Sequence, residues 1–215
     1  MRVEDTNESL TSRDDSSCED FYRIYSESMP LRERKPRAEI LALVARPDYK
    51  VLLVKRNKVV IGFSIIFAPA EEPFGLLEYM GVDSAHRNSG VGGELFLNSV
   101  RAVISDRGNI PMLLEVDSDR EPSADRAMRA RRKDFYRRLG CLQIDGLHYI
   151  LPLPGEGPPP EMDLMVYLPE GSPPIRKAQL EGWLRVIYQR VYNCSPDDPR
   201  ITRMMEPVPD PVMIV

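Results

Sequence analysis

The chain has 215 residues, 42% hydrophobic and 29% charged, with a formal charge of −4 from 33 acidic and 29 basic residues. Such a length and balance suit one globular domain, with an appended element, that can supply a sizeable core. The slight acidic excess argues against a nucleic-acid binder, and three widely separated cysteines, Cys18, Cys141 and Cys194, offer neither a zinc spacing nor a disulfide framework.

The opening segment, residues 1–19, is rich in Ser, Asp and Glu and lacks the apolar stretch of a signal peptide; it predicts at most one weak strand. No apolar run is long enough to span a bilayer. The expected location is the cytoplasm, with no membrane partner and no metal.

From Asp20, Phe21, Ile24, Tyr25 and Met29 fall at helical spacing up to Pro30, and a second short helix is predicted over 37–45, stopped by Pro47. The period then changes. Runs at 50–55 and 59–68, joined by Arg56-Asn57-Lys58, predict an antiparallel hairpin, and "LLEYMGV", 76–82, predicts the next strand. A helix is expected over 92–105. "IPMLLEVDS" reads as a central strand covered on both faces, parallel to 76–82 across the intervening helix.

A helix follows over 123–139, ended by Gly140, then a strand through "CLQIDGLHYILPL" with a break at Asp145-Gly146. After the proline-rich loop 154–160, "MDLMVYL" is the last predicted strand. In the tail, Ser172 and Pro173 are read as the cap and first position of another helix, whose stripe of Leu180, Leu184, Ile187, Tyr188 and Val191 needs a partner surface. That stripe and the apolar terminus are compatible with a homodimer. The fold class expected is α+β: a mixed, mostly antiparallel sheet of about six or seven strands with helices on both faces and an extra C-terminal helix.

The most informative stretch is "HRNSGVGGELF", 86–96. A strand that turns at once into a helix exposes the first amide groups of that helix, and with the helix dipole these favour an anion. Gly90, Gly92 and Gly93 remove bulk and permit positive φ, so that successive amides can converge. Arg87 adds charge at the rim. The reading is a diphosphate cradle. It is not a P-loop, because no Lys-Ser/Thr follows, and it lacks the GxGxxG pattern of a dinucleotide fingerprint.

Arg87-Asn88-Ser89-Gly90-Val91-Gly92, directly after a strand, resembles the [R/Q]xxGxG/A motif of the GNAT superfamily of acyl-CoA-dependent N-acyltransferases. "FYRRLGC", 135–141, is similar to that family's YxxxGF segment, and the order of elements over 20–168 fits its fold. The resemblance divides the chain into the polar segment 1–19, an acyltransferase domain at 20–168, and a C-terminal helix and tail at 169–215. It implies acetyl-CoA as cosubstrate, gripped by amides of Arg87, Asn88, Ser89, Gly90, Val91, Gly92 and Gly93, with the backbone of Val82 serving the pantetheine arm.

It further implies N-acetyl transfer to a small amine or a peptide by direct attack, and no part for Cys141. Tyr136 would sit near the thioester sulfur and protonate the leaving thiolate. Glu78, on the strand before the turn and four residues before Val82, would act as general base from the face that Val82 shares; Glu115 is its rival. The loop 28–37, with Glu27, Glu33 and Arg34, and the loop 154–160 would border the acceptor.

Two departures, Met128 where the family often has asparagine and Cys141 where it has an aromatic, leave open a catalytically weak acyl-CoA-binding or regulatory module. The basic helix with Arg126, Arg129, Arg131, Arg132, Lys133, Arg137 and Arg138 reads as a solvated face, and His86 and His148 read as structural.

Overall fold

The computed structural model describes residues 5–12, 16–120, 122–153 and 159–215. The chain forms two compact units, 1–108 and 109–215. Within each unit the strands pair antiparallel. The fold class stands as read, with eight strands and six α-helices among the described residues.

The first unit is a four-stranded meander, β1 (Asp5–Ser9), β2 (Tyr49–Arg56), β3 (Val59–Phe67) and β4 (Gly75–Val82), in that spatial order. The weak N-terminal strand therefore exists, on the edge beside β2. Only Asn57 and Lys58 separate β2 from β3, both with positive φ (52° and 69°), the conformation of a two-residue hairpin turn.

Helix α1 (Cys18–Ser28) lies on one face of this sheet: Phe21 packs edge-on against Phe63 at 5.1 Å, and Tyr25 against Phe63 and Tyr79. Helix α3 (Val91–Arg107) covers the other face, where the hydroxyls of Ser64 and Ser99 meet at 2.7 Å and Val54, Ile61, Val91 and Leu95 cluster with Met80 and Val82. The short α2 (Arg37–Ala42) continues as a 3-10 turn over 43–45, together covering the helix expected at 37–45.

In the second unit, β8 (Glu161–Tyr167) is central, with β5 (Met112–Asp117) on one side and β6 (Cys141–Gln143) and β7 (Tyr149–Ile150) on the other. The break expected at Asp145-Gly146 separates β6 from β7, with Gly146 at φ 73°. Helix α4 (Arg126–Arg138) ends at Gly140, whose φ of 89° closes it as expected. Its Lys133 is buried and bridges Asp163 and Asp119, at 2.7 Å each.

The tail differs from expectation at its start. Helix α5 spans Lys177–Arg190, not from Pro173. Pro174 disfavours the α conformation at Pro173, so the helix cannot begin there, and the Ser172 hydroxyl donates instead to Pro169 O. The stripe finds its cover within its own unit: Leu180, Trp183, Leu184, Ile187 and Tyr188 are all buried. A further helix, α6 (Pro199–Met205), capped by Asp198, lies against α5; the proline-punctuated sequence concealed it. The chain's last residues return to β6, where Gln143 and Val215 exchange backbone hydrogen bonds and Asp145 N–H donates to Met213 O.

Candidate active site

Strand β4 delivers the glycine turn. After Val82, Asp83 accepts from Ala85 N–H and starts a 3-10 turn over 84–86. Asn88 (φ 59°) and Gly90 (φ 91°) then swing the backbone into α3, which begins at Val91. The Ser89 amide closes a turn over Arg87 and Asn88, the amides of Asn88 and of Gly90 to Gly92 make no backbone hydrogen bond among the described residues, and Gly93 and Glu94 donate to Gly90 O. A Cβ on Gly90 would meet nothing within 4 Å, so that glycine answers to its φ and leaves open space beside the turn.

Arg87 is exposed, and its Nε donates to Val82 O at 3.1 Å, so it braces the turn as well as charging the rim. Free amides, open space and a cation fit a diphosphate. His86 lies 3.6 Å from Asp83, which also pairs with Arg23 at 2.8 Å, a structural role.

Glu78 is placed differently from the sequence reading. Ile65 pairs with Tyr79 and Ile66 with Leu77, which leaves Glu78 as the extra residue of a β-bulge. Alternation resets there. Val82 and Met80 pack towards α3, while Glu78 turns to the α1 face with Tyr79, so Glu78 and Val82 do not share a face.

Its side chain is 1% exposed, and Lys35 Nζ lies 2.7 Å from Oε1. The contact is ionic; neither Glu78 oxygen has a hydrogen bond of good geometry among the described residues. The buried Tyr49 hydroxyl faces the same carboxylate, and desolvation and then the Glu78 charge push that phenol well above its ordinary range.

The loop carrying Lys35 is pinned: Lys35 N–H donates to the Tyr25 hydroxyl at 2.7 Å, and the Tyr79 hydroxyl to Glu33 O at 3.1 Å. Sequence reasoning marked this loop but missed Lys35 and Tyr49, because no periodicity or motif links them to Glu78.

In the second unit, Tyr136 is buried on α4, edge-on to Phe135 at 5.0 Å. Burial raises its phenol to about 12, and the neighbouring Cys141 thiol likewise to about 12. Both are neutral at physiological pH.

Glu115, the rival base on β5, accepts from the hydroxyls of Tyr149 and Tyr192. Tyr192, just beyond α5, was not identified from the sequence. Five of the seven basic residues of this helix are engaged within its own unit, Arg129 with Asp125, Arg132 with Asp117, Lys133 with Asp119 and Asp163, Arg137 with Asp134, and Arg126 by donating to Asp119 O, while Arg131 and Arg138 are exposed. Residues 154–158 of the second loop lie outside the described residues. Among those described, no cluster could hold a metal ion and no helix is long and apolar enough to cross a membrane.

Residues 18–140 match the family described as acetyltransferase (GNAT). No curated protein matches the sequence. A protein assigned to the GNAT family of acetyltransferases in Bacteroides thetaiotaomicron superposes with a TM-score of 0.68 at 21% identity, over 88% of this chain and 99% of its own. The ribosomal-protein-S18-alanine N-acetyltransferase from Escherichia coli gives 0.58 at 15% identity, over 79% and 99%. An aminoglycoside 6'-N-acetyltransferase complexed with coenzyme A gives 0.59 at 17%, over 78% and 99%.

Proposed function

The chain belongs to the acetyltransferase (GNAT) family, and we propose that it moves an acetyl group from acetyl-CoA to a primary amine by direct attack. The observation that carries this reading is the glycine turn: amides of Asn88 and of Gly90 to Gly92 without backbone hydrogen bonds among the described residues, at the entrance to α3, beside an exposed Arg87. In this reading those amides, with those of Arg87, Ser89 and Gly93, grip the diphosphate, and the backbone near Val82 orients the pantetheine arm.

Glu78, directly or through a water, takes the proton of the acceptor ammonium; its position beside Lys35 and Tyr49 supports that task. The amine nitrogen then bonds to the acetyl carbon as the carbon–sulfur bond breaks, and the second proton that this nitrogen sheds passes to the thiolate, so that CoA leaves as the thiol. Tyr136 holds the departing thiolate with its hydroxyl proton. With a phenol at about 12 against a thiol near 8.5, hydrogen bonding is favoured over complete proton transfer. Cys141, buried and neutral, has no part, consistent with direct attack.

The same reading takes 20–168 as the catalytic domain, 1–19 and 169–215 as flanking segments, and the cytoplasm as the place of action. Release of free CoA with a panel of amines tests it, alongside thermal stabilisation by CoA. Stabilisation without turnover on any amine would select the alternative, an acyl-CoA-binding or regulatory module, which the Met128 and Cys141 departures favour.

A further inference from the structure

Resting on the acetyltransferase reading, we infer that the acceptor is a small zwitterion bearing a carboxylate close to its amine, an amino acid or a molecule like one, bound by the Lys35–Glu78 pair. The Glu78 side chain is 1% exposed, and both of its oxygens lack a well-formed hydrogen bond among the described residues. A buried carboxylate in that condition has unused capacity for N–H donors. An amine supplies them.

Glu78 is not, however, a bare anion waiting for a cation. Lys35 Nζ already stands 2.7 Å away, and its side chain is only 19% exposed. An amine without another charge that took Glu78 from Lys35 would strand an ammonium in a poorly solvated place, which is far more costly than having no pair at all. A zwitterion avoids that penalty, because its carboxylate takes over Lys35 as its ammonium engages Glu78, exchanging one ion pair for two.

The surroundings hold the two charges where such a ligand needs them. The Lys35 backbone is fixed by the Tyr25 hydroxyl, and its ammonium lies 5.6 Å from the centroid of the Tyr79 ring. Arg46, the next cation along this face, is committed to Asp48 at 2.7 Å. The first proton released in the reaction goes from the acceptor nitrogen to Glu78 or the water it holds, and Lys35 takes no part in proton transfer. Lys35 is a binding residue that sets acceptor class.

The experiment compares matched pairs, each an amino acid and its decarboxylated amine (phenylalanine with phenethylamine, lysine with cadaverine), by CoA release from acetyl-CoA. The expected result is a kcat/KM at least about tenfold higher for the amino acid of a pair, held mainly in KM. Lys35→Met should collapse that ratio towards one, and Lys35→Arg should keep most of it, with CoA-induced thermal stabilisation reporting that each variant is folded. Equal or better use of the decarboxylated amines by the unaltered protein, or a ratio that survives Lys35→Met, overturns the inference while leaving acetyl transfer intact. No CoA release with either member of any pair overturns the underlying function instead.

Discussion

Glu78 and Tyr79 are neighbours in the chain, yet they project from the same face of β4, both against Lys35. The bulge between them puts a carboxylate among aromatic rings on the α1 side. Replacing it by an amide of the same shape removes the base and takes the counter-charge from the Lys35 ammonium, so the melting temperature should fall while CoA binding at the glycine turn is kept. Glu78→Gln should therefore lower kcat roughly 10²- to 10⁴-fold with little change in CoA-induced stabilisation. A variant at full kcat removes Glu78 from the mechanism.

Tyr136 is asked to donate a hydrogen bond to a developing thiolate. Loss of a charge-assisted hydrogen bond is worth about 1.5–3 kcal/mol, or roughly ten- to a hundredfold in kcat. Tyr136→Phe should show that loss without a matching rise in the KM for acetyl-CoA. Because the phenol sits at about 12, no ionisation of Tyr136 should shape the pH–rate profile below about pH 10.

Gly90 has open space where a side chain would go and a φ of 91°. A substitution there is limited by backbone conformation alone. Gly90→Ala should cost about 1–2 kcal/mol in thermal unfolding, while Gly90→Asn, which tolerates the left-handed region, should cost less. Both should weaken CoA binding in a titration by changing where the amides of Val91 and Gly92 point.

Asp163, fully buried on β8, pairs with Lys133 at 2.7 Å and Arg120 at 3.0 Å. Asp163→Asn should cost about 3 kcal/mol in denaturant unfolding, since it takes the buried counter-charge from both Lys133 and Arg120 and leaves Lys133 only the more exposed Asp119. The Lys133 ammonium also holds the Asp119 carboxyl below its ordinary range. A depressed folded value means that this contribution is complete above the unfolded value near 3.9 and is lost as pH falls through the lower folded one. Melting temperature should thus fall below about pH 4, and Lys133→Met should flatten part of that fall.

Trp183 on α5 is among the largest fully enclosed side chains. Trp183→Ala should destabilise the second unit by about 3–5 kcal/mol. A variant unfolding like the parent would mean that the C-terminal helices are accessory to the unit instead of part of its core.

Most elements were legible because the apolar spacing changes cleanly, from helical at Phe21 to Met29 to strand-like at Val51 to Phe67. Gly140 and Asn57 mark their turns by a tolerance of positive φ that few other residues share. The start of α5 was misread because Pro173 looks like a first helical residue until the next proline is considered. Helix α6 was hidden in a stretch that prolines made look irregular, although Asp198-Pro199 is itself a cap and first turn.

In the site, the glycine turn was readable since its chemistry is local. The environment of Glu78 was not. A bulge inserts one residue without any composition signal and reverses the parity on which a strand-face argument depends. Lys35, Tyr49 and Tyr192 reach their carboxylates across long sequence separations, which no local pattern encodes.

The ribbon that Met213 to Val215 lay along β6 occupies the outer row of donors and acceptors on that strand. A sheet rim left bare is adhesive, able to recruit any extended peptide that matches its spacing. Covered by its own chain, this rim is spent, and pairing with a copy along β6 would first require the terminal ribbon to peel away.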